Sequence, residues 1–286
     1  MRLSHEKRKG LISNMNQEIG YPKFLRDTAV SQLDEDIWEA ELTDDWNIGG
    51  VANGGYSMAT AARALSEALD HKDPLSMTGH YLSRVEAGKA LLEVEKLNIG
   101  RSVSTALLKF IQGGEERIRF TACFTDFEKA KGDTLREVEA PEFPPIKECI
   151  SMPYKEGFTP VLEKQINRKF APYSDWWDET RPRSRALLDA YYSWPGGEPI
   201  DLLSIIFFLD TMSPPIFNRL GSRGWVPSLE LTVHLKQLPC EGPLRMRGKT
   251  DFITSGFLEE DDEIWDSKGN LVGQARQMAK LRIPKS

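Results

Sequence analysis

Thr78-Gly-His-Tyr-Leu-Ser-Arg-Val-Glu-Ala-Gly88 and Thr232-Val-His-Leu-Lys-Gln-Leu-Pro-Cys-Glu-Gly242 carry a threonine, a histidine and a glycine at matching places, each recurring 154 residues on. A β-rich tract follows the glycine in both copies. A chain of 286 residues accommodates one large domain or two of about 140, and an internal repeat favours two.

The surroundings of the repeat run in the same order in each half. In the first, a strand-like Ile37–Leu42 leads through the Gly/Asn-rich turn Gly49-Gly-Val-Ala-Asn-Gly-Gly55 to a predicted helix from about Tyr56 to Leu69, closed by Asp73-Pro74. Strands are expected over Leu91–Ile99, Ser102–Gln112 and Arg117–Phe124, the last two joined at Gly113-Gly114, a hairpin signal. In the second half, Gln165–Phe170 reads as a strand and a helix starts near Asp201. Strands follow near Leu229–Leu235, Leu244–Phe252, Gly256–Trp265 and Asn270–Arg282. Each half is thus α+β: one long helix and an antiparallel sheet. Ala59, Ala61, Ala62, Ala64 and Ala68 suit a helix wrapped closely by sheet, although alanine also simply favours helix. Between the halves, Glu128 to about Leu162 carries charge runs and Pro141, Pro144, Pro145, Pro153 and Pro160, the composition of a linker. The expected organisation is an N-terminal tail (1–27), a first domain (28–127), a linker (128–162) and a second domain (163–286).

A net charge of −6 gives no basic field of the kind nucleic-acid binding needs. No apolar run approaches the roughly 20 residues that cross a bilayer, and the first twenty-odd residues lack a secretory apolar stretch. Cys123, Cys149 and Cys240 are too few and too scattered for a disulfide framework or a zinc site. The expectation is a cytoplasmic protein without nucleic-acid or membrane partners, without metal or cofactor, and with dimerisation open.

Val51-Ala-Asn-Gly-Gly-Tyr56, Gly79-His-Tyr-Leu82, Gly100-Arg-Ser102, Leu209-Asp210, Ser228-Leu-Glu-Leu-Thr-Val-His-Leu235 and Gly273-Gln-Ala-Arg-Gln-Met-Ala-Lys280 stand in an order that resembles the double-hotdog acyl-CoA thioesterases of the thioesterase II type. The resemblance spans about Asp34 to Arg282 apart from the linker. It implies two fused hotdog domains and hydrolysis of an acyl-CoA by a water oriented by an Asp, a Thr or Ser, and a Gln of the C-terminal domain. Carried across residue by residue, these are Asp210, Ser228 and Gln277, with Thr232 as the alternative hydroxyl, four residues on and expected on the same strand face. Asn53, Gly54 and Gly55 resemble the degenerate counterpart in the first half.

Each assignment competes with a plainer reading. Asp210 could end a helix near Pro214-Pro215, Gln277 could face solvent between Arg276 and Lys280, and Ser228 could bond local backbone after Pro227. Gly54 and Gly55 present N–H groups at a helix start, suited to an oxyanion or phosphate, or merely allow a tight entry. His80 and His234, at equivalent repeat positions, read as structural. Trp176-Trp177 and the following Tyr191, Tyr192 and Trp194 read as a satellite core or an acyl-chain cover. A hydratase or dehydratase of the same fold resembles an Asp followed five residues later by His, where Pro215 stands. A serine-hydrolase elbow is absent, since Gly221-Ser222-Arg-Gly224 has the wrong spacing. A non-catalytic acyl-CoA or lipid-binding module remains the reading from a different class.

Overall fold

The computed structural model describes residues 19–180, 185–221 and 224–282; residues 1–18 of the expected N-terminal tail lie outside them. The first half contains α1 (Tyr21–Asp27), β1 (Val30–Asp34), β2 (Ile37–Leu42), β3 (Asn47–Ile48), β4 (Val51–Ala52), α2 (Gly54–Ala68), β5 (Asp73–Tyr81), β6 (Gly88–Ile99), β7 (Ser104–Gln112) and β8 (Glu115–Thr125). The second contains β9 (Asn167–Phe170), β10 (Leu187–Ser193), α3 (Leu202–Phe208), α4 (Ile216–Leu220), β11 (Ser228–Leu235), β12 (Leu244–Lys249), β13 (Ile253–Thr254), β14 (Phe257–Trp265) and β15 (Leu271–Lys280).

The two halves share one antiparallel sheet of 13 strands in the order β1-β2-β6-β7-β8-β5-β11-β15-β14-β12-β10-β9, with β13 beside β14. The order is a palindrome of equivalent strands about the β5/β11 seam. There Thr232 lies directly opposite Thr78, and the two hydroxyls share a hydrogen bond at 2.9 Å. The repeated threonine therefore marks the pseudo-twofold axis that joins the halves, and the fold is two fused hotdog domains.

Helix α2 begins where the Asn53 side chain accepts from the Tyr56 N–H at 2.9 Å, satisfying one of the donors a helix start leaves open. Ala59, Ala61, Ala62 and Ala64 have no exposed surface. Small side chains let the helix lie close against the sheet, and Gly79 leaves room both for the ring of its cross-strand neighbour Phe120 and for Met58 of α2: a Cβ there would stand 2.6 Å from the ring and 3.3 Å from Met58 Cε. The Gly113-Gly114 hairpin forms with both residues at positive φ (63° and 78°), as a two-residue turn of this hand requires.

Three expectations change. Residues 21–27 are not tail. They form α1, whose Tyr21 and Phe24 are fully buried, and Phe24 packs on Trp46, Trp194 and Phe207 at 5.2–5.4 Å between centroids, bridging both halves. The second helix is short, and β10, unanticipated from sequence, inserts Leu187–Ser193 between β9 and β12. Trp176 and Trp177 pack with Phe158, Phe170 and Phe217 at centroid distances of 5.1–6.2 Å, and through Phe170, Trp176 and Phe217 they are continuous with the main core rather than a satellite of it. His80 and His234 lie on the exposed side of the sheet.

Candidate active site

The start of α2 and the end of α3 meet at the interface of the halves, and glycine is what lets them meet. A Cβ on Gly55 would lie 2.8 Å from the Asp210 Cβ and 2.9 Å from the Phe207 carbonyl oxygen. Asp210 lies in the turn just after α3, its N–H donating to the Phe207 carbonyl at 3.2 Å. Its Oδ2 accepts from the Gly55 N–H and from Asn53 Nδ2, each at 2.8 Å, and Asn53 Nδ2 also donates to the Asp210 main-chain oxygen at 2.8 Å. Asn53 thus caps α2 with one amide atom and clamps Asp210 with the other.

Asp210 keeps part of its surface exposed. Its carboxyl nevertheless sits among enough protein to be pushed up to about 6 by desolvation, which outweighs the opposing pull of the Gly55, Asn53 and Gly54 donors. The expectation that the Gly54 and Gly55 N–H groups stand free for a ligand anion therefore needs correcting: the helix start already holds a carboxylate, that of Asp210, which takes the Gly55 N–H directly and is also drawn down by Gly54.

Ser228 and Gln277 come together on the neighbouring strands. Gln277, at the inner face of β15, is 7% exposed and lies opposite Leu231 and Glu260. Ser228 would face the other way by simple alternation, being of the same parity as Glu230 and Thr232. The register slips between Ser228 and Glu230, however, so Ser228 pairs with inward-facing Ala279. Its hydroxyl then donates to Gln277 Oε1 at 2.8 Å. Gln277 Nε2 in turn donates to Glu260 Oε2 at 3.2 Å.

The same slip removes Thr232 from the site. Thr232 lies opposite exposed Arg276, and its hydroxyl bonds Thr78 and Glu230 rather than Gln277. The structure thus groups Asp210 with Asn53 and Gly55, and Ser228 with Gln277; it shows no direct hydrogen bond between the two groups among the described residues.

Sequence reasoning missed Glu260. It is 4% exposed, its Oε1 lacks a partner among the described residues, and burial, then the charges of Asp210 and Glu259, push its carboxyl up to about 8. Asp262, 5% exposed on the same face, is raised well above the carboxylate range, by burial first and then by Glu260 and Asp210. Their shared response to Asp210 puts these carboxyls in one electrostatic neighbourhood. The signal available in sequence was the alternation in Leu258-Glu-Glu-Asp-Asp-Glu-Ile264, which turns Glu260 and Asp262 inward with Leu258 and Ile264.

The pseudo-symmetric position in the first half holds no such chemistry. By register about Thr78 and Thr232, the counterparts of Ser228, Gln277 and Glu260 are Pro74, Ala122 and Ala106. Of the two equivalent sets of strand positions, the one in the second half therefore carries these polar side chains.

Two family models match the chain in succession. Residues 42–125 match the acyl-CoA thioesterase N-terminal domain, and residues 146–281 match the acyl-CoA thioesterase C-terminal domain. The chain belongs to the acyl-CoA thioesterase family. Among solved structures, it is similar to a candidate thioesterase II from Thermobifida fusca (26% identity, TM-score 0.83, covering 91% of this chain and 97% of that one). At the level of fold it is similar to an acyl-CoA thioesterase II from Mycobacterium marinum (15% identity, TM-score 0.74, covering 92% and 99%). An uncharacterized Mycobacterium tuberculosis protein is 24% identical over 286 residues, spanning 90% of this chain and 98% of the relative. Among the described residues, no helix of this thioesterase-family chain is long and apolar enough to cross a membrane.

Proposed function

We propose that the protein is an acyl-CoA thioesterase, releasing free acid and coenzyme A, with Asp210 as the base. The observation that carries this reading is a desolvated carboxylate whose Oδ2 accepts from Asn53 Nδ2 and the Gly55 N–H at the junction of the two domains. That arrangement leaves Oδ1 for a substrate water. A carboxylate near 6 is ionised at neutral pH yet basic enough to accept a proton as the water attacks.

Thioester hydrolysis needs a water oxygen to bond the carbonyl carbon while its proton leaves to Asp210. The carbonyl electron pair moves onto oxygen, then returns as the C–S bond breaks, and the departing thiolate takes the proton back from Asp210. Ser228 and Gln277 are assigned to water and carbonyl positioning. Their orientations are set in relay: Glu260 fixes the Gln277 amide, and Gln277 fixes the Ser228 hydroxyl. Glu260, held protonated at neutral pH, adds no second negative charge beside the reacting carbonyl. We place the protein in acyl-CoA metabolism in the cytoplasm, as a hydrolase working without metal or cofactor.

The test is free-thiol release from a panel of short, long and aromatic acyl-CoAs. Turnover of at least one is expected. Tight acyl-CoA binding with no turnover on any would instead identify a binding module that kept the fold and lost the reaction.

A further inference from the structure

We infer that Tyr81, in the first domain, is a further catalytic residue: its phenol donates the hydrogen bond that receives the thioester carbonyl oxygen as it becomes an oxyanion. This rests on the thioesterase reading above and adds to it a group that neither half of the Asp/Ser/Gln assignment contains.

The need for such a donor follows from how the others are committed. A helix start with glycine N–H groups is the usual place for an oxyanion, but here the Gly55 N–H and Asn53 Nδ2 both point at Asp210. The Ser228 hydroxyl proton goes to Gln277, and one amide proton of Gln277 goes to Glu260. The charge that develops on the carbonyl oxygen therefore needs a further hydrogen-bond donor.

Tyr81 meets that description by geometry. It closes β5, the strand at the domain seam, where its neighbour His80 lies opposite Glu230 of β11. Its hydroxyl oxygen is enclosed by protein and has no hydrogen-bond partner among the described residues. The ring lies on the first turn of α2: a Cβ added to Gly54 would stand 2.9 Å from Tyr81 Cε1, Cζ and Oη alike. Gly54 is therefore the residue that allows the phenol to sit one position from Gly55 and its bond to Asp210. Phe120 holds the ring edge-on at 6.4 Å between centroids, fixing its direction. Buried phenols normally find a partner, and one without any among the described residues, beside the base, is placed for an acceptor that arrives with the substrate. Desolvation, then the charges of Asp210 and Glu230, hold the proton on the phenol well above its ordinary range, so Tyr81 remains a donor wherever Asp210 is ionised. In the reaction it forms no covalent bond and transfers no proton; it strengthens one hydrogen bond as the carbonyl electron pair moves to oxygen.

The test is Tyr81→Phe in the full chain, which removes one oxygen and keeps the ring. On the best acyl-CoA, kcat is expected to fall about 100-fold, the scale for losing one oxyanion donor. KM and the acid limb of the pH profile should stay near wild type. A packing role would not split kcat from KM in this way. As a second readout, binding is compared for two inert analogues: an acyl-CoA thioether, which lacks the carbonyl, and a trifluoromethyl ketone analogue, which forms a tetrahedral hydrate. The variant should bind the thioether as wild type does and lose affinity for the ketone. If Asp210→Asn abolishes turnover but Tyr81→Phe leaves kcat unchanged, or weakens both analogues equally, the thioesterase reading stands and the role of Tyr81 is overturned. If wild type turns over no acyl-CoA, both fall.

Discussion

Asn53 serves two structural purposes through opposite ends of one amide, and substitutions can separate them. Asn53→Asp keeps an oxygen for the Tyr56 N–H, so the α2 cap survives, but it replaces the donor facing Asp210 with a second carboxylate. Asn53→Ala loses both. The cap is worth about 1 kcal/mol, and a hydrogen bond to a charged acceptor about 1.5–3 kcal/mol. At about 1.4 kcal/mol per pKa unit, losing that donor lifts Asp210 by about 1–2 units above its starting point near 6, and like-charge repulsion in Asn53→Asp adds to this. A base works only when ionised, so a raised pKa moves the acid limb of kcat/KM toward higher pH. The limb should move furthest in Asn53→Asp, less in Asn53→Ala, and activity should recover in both as pH rises. Thermal or urea midpoints at low pH should rank the variants differently, with Asn53→Ala the less stable because only it lacks the cap. The assay is thiol release over a pH series beside unfolding at the same pH values. An acid limb that stays in place in Asn53→Asp would refute the reasoning, since it would mean Asn53 does not set the Asp210 proton affinity.

Two further predictions concern the Ser228–Gln277–Glu260 relay. Ser228→Ala leaves Gln277 Oε1 without its 2.8 Å donor and should lower kcat about 10-fold, the rate equivalent of one neutral hydrogen bond, while Ser228→Thr keeps the hydroxyl and should stay near wild type; equal losses would remove the hydroxyl from the account. Glu260→Gln replaces a carboxyl raised to about 8 by a neutral amide of the same shape. Because the unfolded carboxyl ionises from about 4.5 while the folded one stays protonated to about 8, wild type loses stability as pH rises through that window. The variant should lack one proton's share of that loss, about 1.4 kcal/mol per pH unit, in urea titrations across the window. Parallel stability curves would show that Glu260 is not held protonated.

The parts of this architecture that sequence revealed were those fixed by local chemistry. The 154-residue repeat located the Thr78/Thr232 seam because equivalent strands meet there. Gly113-Gly114 gave the hairpin because its turn demands positive φ. Helix α1 escaped because a 7-residue helix is too short to display a period, and its stability comes from Trp46, Trp194 and Phe207 far along the chain. Thr232 was placed with Ser228 because alternation was assumed unbroken, and a one-residue slip reverses which face a side chain occupies. The free helix start at Gly54 and Gly55 was a fair local reading, overturned at Gly55 by a carboxylate 155 residues away. Glu260 and Tyr81 carry no motif; what marks them is burial without full hydrogen bonding, a property that exists only after folding.

Whether Asp210 activates the attacking water is read from wild type beside Asp210→Asn on the best acyl-CoA substrate. The amide retains the shape of the carboxyl but cannot take a proton. With Asp210 as the base, kcat falls on the order of 100-fold or more while acyl-CoA binding measured by calorimetry persists. Turnover left unchanged by the substitution would contradict that role and remove Asp210 from the chemistry.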